Sequence, residues 1–146
     1  MRVRADDLTE LRSIGSAEGR LENGLVFAPA RGITEWDHAE DELAEAFVLT
    51  RQATIADAPV VYVLDARAVL GRAAPLDSAV AAGLVGGARA LAFEGLREQR
   101  YVTVIAVDGS EREGMLADAV RHAVSSRTGL GQVQMLGSEH VGAMLP

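Results

Sequence analysis

Residues 76–94 read LDSAVAAGLVGGARALAFE, and this stretch decides the fold. It is a helix rich in small residues, with Ala79, Ala81, Ala82, Gly83, Gly86, Gly87 and Ala88 available for close approach of another backbone. It is flanked by two apolar runs, PVVYVL at 59–64 and YVTVIAV at 101–107. Neither run alternates with polar residues, which is how a parallel strand buried on both faces reads. A helix long enough to cross between two such strands makes a strand-helix-strand unit. Two further runs, GLVFA at 24–28 and QVQML at 132–136, extend the pattern in both directions. Helical periods at 37–56, 76–97 and 111–126 fall between the strands. Thr34, Asp37 and several acids give the first of these a start signal. The order implies a parallel sheet joined by right-handed crossovers.

Composition narrows the function classes. The chain has 146 residues, 49% hydrophobic and 24% charged, enough for one globular domain with a sizeable core. Its net charge of -7 argues against nucleic acid or an anionic membrane surface as a partner, because both need a basic patch. With no cysteine there is neither a disulfide nor a thiolate metal site. The N-terminal MRVRADDLTE has no apolar core of a leader peptide, and no stretch reads as the ~18 apolar residues of a membrane span. The expectation is a cytoplasmic protein.

Several motifs resemble the short-chain dehydrogenase/reductase family. Gly86-Gly87-Ala88-Arg89-Ala90-Leu91-Ala92-Phe93-Glu94 is similar to the family's G-L-x-R-A-L-A-x-E. Gly19-Arg20-Leu21-Glu22 followed by Leu25-Val26-Phe27-Ala28-Pro29-Ala30 resembles G-R-L-D-x-L-V-N-N-A-G with one residue inserted. Phe47-Val48-Leu49-Thr50-Arg51 looks like F-x-L-T-R, 60–65 like the strand I-V-N-I-S-S, 102–108 like V-N-x-I-A-P-G, and Gly131-Gln132-Val133 like the start of the last strand. The resemblance implies a single truncated Rossmann-like α/β domain over 1–146, with a parallel sheet of about four to five strands and crossover helices. It also implies that the catalytic Asn, Ser, Tyr and Lys are replaced by Glu42, Asp65, Asp77 and Ala81. Neither a phenolic proton donor nor its ammonium partner remains, so carbonyl reduction of the family's kind has no acid.

The segment 2–10 resembles that family's third strand, so the chain reads as beginning in mid-fold. The first strand and the Gly-rich turn that would hold a pyrophosphate on backbone N–H groups have no counterpart. Gly86-Gly87 reads as close helix packing and Gly129-x-Gly131 as a turn, so no cofactor is expected and NAD(P) enters only in an alternative reading. Truncation leaves the strand at 25–28 with an open edge unless the N-terminal segment moves into the vacant slot beside it, a slip that is feasible because it keeps the crossover right-handed. The apolar strands at 60–64 and 102–107 should then lose cover on one side. Each exposed Val or Leu forgoes about 1.5 to 3 kcal/mol, which predicts an obligate oligomer.

By the resemblance, the helices at 37–56 and 76–97 pair with their mates across a two-fold axis, and Phe47, Ala82, Gly86, Arg89 and Phe93 are the interface candidates. The other reading of the small residues is packing on the chain's own sheet. The apolar tail 141–146 either crosses to a partner or folds back locally.

Asp65 and Asp77 could act as acid and base at the carboxyl end of the sheet, or simply cap a turn and a helix start. Glu35, Asp37, Glu40, Asp41, Glu42 and Glu45 read as a solvated acidic face. His38, His122 and His140 are too scattered for a metal site.

Three functional expectations follow. The first is a non-catalytic subunit that assembles with a catalytic homologue, with itself, or with both, and stabilises or regulates the enzyme. The second is an NAD(P)-dependent oxidoreductase with an atypical site completed by a partner chain. The third is a ligand-free self-assembling structural protein.

Overall fold

The computed structural model describes residues 1–5, 8–98, 100–110 and 114–138. Strands β1 (Arg2–Arg4), β2 (Leu25–Phe27), β3 (Val60–Asp65), β4 (Val102–Val107) and β5 (Val133–Leu136) form one sheet in the order β1-β2-β3-β4-β5. Every neighbouring pair is parallel. The α/β architecture expected from the apolar runs is therefore present. β1 lies beside β2, with Val3 opposite Val26.

The helices are α1 (Trp36–Ile55), α2 (Ala66–Val69), α3 (Pro75–Glu94) and α4 (Met115–Ser126). The α1 start carries no side-chain cap at Glu35, although Asp37 in the first turn still complements the helix dipole. Pro75 opens α3, where its fixed φ and missing N–H fit the first turn. The short α2 was not legible in the sequence; Asp65 caps it by accepting the Arg67 N–H at 2.7 Å. The turn signalled by Gly129 and Gly131 precedes β5, and both residues have positive φ.

Two cores sandwich the sheet. On one face Leu25, Phe27, Val60, Tyr62, Val102 and Val104 pack against α1 and α3. On the other, Val26, Val61, Val63, Ile105 and Val107 pack against Leu116, Val120 and Ala123 of α4 and Leu11 of the 3-10 turn Thr9–Ser13. This corrects the expectation that truncation bares one side of β3 and β4. Both strands are buried on both faces, because the β1–β2 connection and α4 cover the second face.

Crossover handedness also differs from the uniform right-handed expectation. All connections step the same way across the sheet, but those leaving β2 and β3 pass over the α1/α3 face. Those leaving β1 and β4 pass over the opposite face. Connections in one direction over opposite faces have opposite hands, so the two sets cannot both be right-handed. Where neighbouring connections diverge, at β1/β2 and at β3/β4, the carboxyl ends of the strands open a crevice.

Candidate functional site

Glu42, Asp65 and Asp77 converge on one segment, the loop 28–33 that follows β2 at the carboxyl end of the sheet. Glu42 points from α1 and is 7% exposed, the exception to the solvated acidic face to which it was assigned. Its Oε1 accepts from Arg4 at 2.5 Å and its Oε2 from the Ala30 N–H at 3.1 Å. Arg4 also donates to Glu45 and to the Ala28 carbonyl, both at 3.0 Å, and its guanidinium lies 5.1 Å from the Phe27 ring centroid. The β1/β2 crevice is thus filled by the chain's own arginine. A buried carboxylate is tolerable there because charge-assisted donors satisfy both of its oxygens. Glu35, Asp37, Glu40, Asp41 and Glu45 are exposed as expected.

Asp77 lies in the first turn of α3, yet it does not cap that helix. Its two oxygens accept the Gly32 N–H at 3.0 Å and the Ile33 N–H at 2.9 Å. Asp65, besides capping α2, lies 3.7 Å from Arg31. Ala81 is buried on the sheet side of α3. Asp65 and Asp77 do share a neighbourhood: both line a hollow of about 30 Å³ beneath the loop and a polar hollow of about 270 Å³ beside it, the latter also lined by Arg67 and Arg72. The first has room for a water or two. Each carboxylate organises backbone: Asp77 at Gly32 and Ile33, and Asp65 at Arg67. On the far side, Asp108 likewise accepts from Ser110 and Ser138.

A second candidate surface lies on the outer side of α1 and α3. The sheet side of α3 is Leu76, Val80, Ala81, Leu84, Ala88 and Ala92, all buried. The small residues Ala82, Gly83, Gly86, Gly87 and Ala90 face outward, so packing on the sheet is not what most of them do. A side chain added at Gly86 or Gly87 would meet nothing within 4 Å, so the close packing read into that pair does not occur within this chain. All five interface candidates, Phe47, Ala82, Gly86, Arg89 and Phe93, are exposed, with Phe47 at 69% and Phe93 at 79%. Ile55 and Leu96 add to the apolar exposure.

Between the two helices runs an open groove of about 620 Å³, walled by Leu43, Phe47, Leu84 and Leu91. Its floor is the Tyr62 hydroxyl, hydrogen-bonded to Thr50 at 2.7 Å. Burial pushes the Tyr62 phenol above its ordinary value, and the Thr50 hydrogen bond opposes that shift. Sequence reasoning missed the groove, which exists because Gly83 and Gly87 bring no side chains to it. By length and composition the segment Pro75–Arg97 would also pass for a membrane span, contrary to the reading of the sequence. One face of it packs on the sheet.

Among the described residues, no cluster of His, Asp or Glu could hold a metal ion. His38 and His122 are exposed on separate helices, and His140 and the tail 141–146 lie outside the described residues. No protein-family model matches the chain, and no curated protein matches it.

Proposed function

We propose that this chain is a non-catalytic subunit of short-chain-dehydrogenase-like build. It assembles through the outer face of α1 and α3 with a catalytic homologue, which it stabilises or regulates. The observation that carries the reading is the contrast between two sites. The carboxylates at the family's reactive positions are engaged with the chain's own backbone and Arg4, whereas Phe47 and Ile55 line an open groove between α1 and α3 and are exposed to solvent, as is Phe93 of α3. Exposed large apolar side chains gathered on the same helices favour an interaction surface. The exposed small residues Ala82, Gly86 and Gly87 support the assignment further, because small residues at a crossing let helix axes approach.

The test is affinity capture of the tagged chain from its source lysate, followed by the mass of the intact complex. A stoichiometric dehydrogenase partner that is lost from the Phe93→Asp variant is the expected result. Recovery of this chain alone overturns the accessory-subunit reading. Binding of NADH or NADPH by the isolated chain, followed by fluorescence titration, would favour an oxidoreductase instead.

A further inference from the structure

We propose that residues 28–33 are a strap over the small hollow at the carboxyl ends of β2 and β3, and that the strap opens as a unit without unfolding of the sheet. The strap is held differently from everything around it. The Ala28 N–H donates to the Arg4 carbonyl at 2.8 Å, the last ladder contact before the segment leaves β2. Beyond it, Pro29 has no N–H, and the N–H groups of Ala30, Gly32 and Ile33 go to the carboxylates of Glu42 and Asp77. Among the described residues, no N–H of 29–33 reaches a backbone carbonyl. Gly32 has φ +72 and open space around it, which supplies a hinge. Ile33 is buried and fixes the far end.

Beneath the strap lies the hollow of about 30 Å³, with Val63, Leu64, Val80 and Ala81 in its walls. Beside it is the polar hollow of about 270 Å³. Asp65 and Asp77 line both hollows, whereas Ala28, Pro29, Ala30 and Arg31 line only the small one. Lifting the strap uncovers the small hollow, at the sheet end where α/β folds keep their sites. A segment held mainly by side-chain contacts, with Arg31 and Gly32 exposed between the buried Ala28 and Ile33, belongs to the low-stability end of a structure, where opening is local.

The inference concerns the isolated chain, and its test does not depend on any partner. Amide hydrogen exchange of the full-length protein is measured by NMR over a series of sub-denaturing urea concentrations. Amides of Ala30, Gly32 and Ile33 are expected to exchange at rates insensitive to urea, while those of β3 and β4 show the steep urea dependence of global unfolding. Asp77→Asn, which weakens both grips on the strap, is expected to speed exchange at Gly32 and Ile33 roughly 10- to 100-fold. The strand amides should stay unchanged. Strap amides that follow the urea dependence of β3 and β4, or strand amides accelerated equally by Asp77→Asn, overturn the proposal. If the variant does not fold, the urea series on the unsubstituted protein decides alone.

Discussion

The carboxyl end of the sheet and the outer face of α1 and α3 use opposite chemistry for opposite ends. At the first, polar groups are numerous and mutually satisfied: Glu42, Asp77, Asp65 and Arg4 spend their hydrogen-bonding capacity on neighbouring backbone and on one another. At the second, apolar side chains are left in water, and two consecutive glycines lie within a continuous helix where an added side chain would meet nothing within 4 Å. Open parallel sheets usually place function at the first location. In this molecule the unsatisfied surface is at the second, and a surface that costs stability in isolation is the better place to look for a partner.

The largest effect that would break this comparison is expected at Glu42. Glu42→Ala leaves the largely buried Arg4 guanidinium short of an acceptor and the Ala30 N–H unpaired. It should lower unfolding free energy by about 3 kcal/mol in urea titration. A loss under about 1 kcal/mol would mean that Glu45 and the Ala28 carbonyl suffice for Arg4, so that the carboxyl end is less tightly organised than its hydrogen bonds imply.

Tyr62 at the groove floor gives a pH-dependent effect. Burial raises its folded-state pKa above the ordinary value of 10.0, so its contribution is fully present below pH 10.0 and is lost as pH rises from there toward the folded value. The slope from one such group is about 1.4 kcal/mol per pH unit, because the unfolded chain releases a proton that the folded one retains. Tyr101 is shifted in the same direction by burial, so both contribute to the fall. Unfolding titrations between about pH 9 and 11 should show a shallower decline for Tyr62→Phe. An unchanged slope would mean that the groove floor is as wet as the groove mouth.

Smaller still, and opposite in sign, is the effect of filling the glycine pair. Gly86→Ala and Gly87→Ala should each stabilise the isolated chain by about 0.5 to 1 kcal/mol, since helix-interior glycine carries an entropic penalty and nothing obstructs the added methyl. The same substitutions should weaken association measured by sedimentation, if another backbone crosses there. Stabilisation without any change in assembly would assign the pair no role in contact. Last, Phe47→Asp should leave monomer stability within about 0.5 kcal/mol, as exposed positions do, while reducing association. A marked loss of stability would show that Phe47 supports the groove wall within its own chain.

Most of the fold was legible because its signals are local. Uninterrupted apolar runs at 59–64 and 101–107 could only be strands covered on both faces, and the helices between them follow from period and length. Helix ends shifted by a residue or so: α1 runs Trp36–Ile55 and α3 runs Pro75–Glu94, with a 3-10 turn at Gly95–Arg97. The start expected for the last helix includes 111–113, which lie outside the described residues. The candidate site was less legible. Residue identity marked Glu42, Asp65 and Asp77 as worth attention, but not that Glu42 is buried or that Asp77 reaches across to Gly32.

What the sequence determined by itself is the parallel α/β architecture and the identity of the helices that lie along it, since hydrophobic period and run length are properties of neighbouring residues. The tertiary structure alone decided which face each connection covers, whether β3 and β4 are bare, where each carboxylate finds its donor, and which side of α3 its small residues take. The physical reason is distance along the chain: Arg4 meets Glu42 and Asp77 meets Gly32 only after strands far apart in sequence have paired. Hydrogen bonds of this kind are invisible to any pattern of spacing.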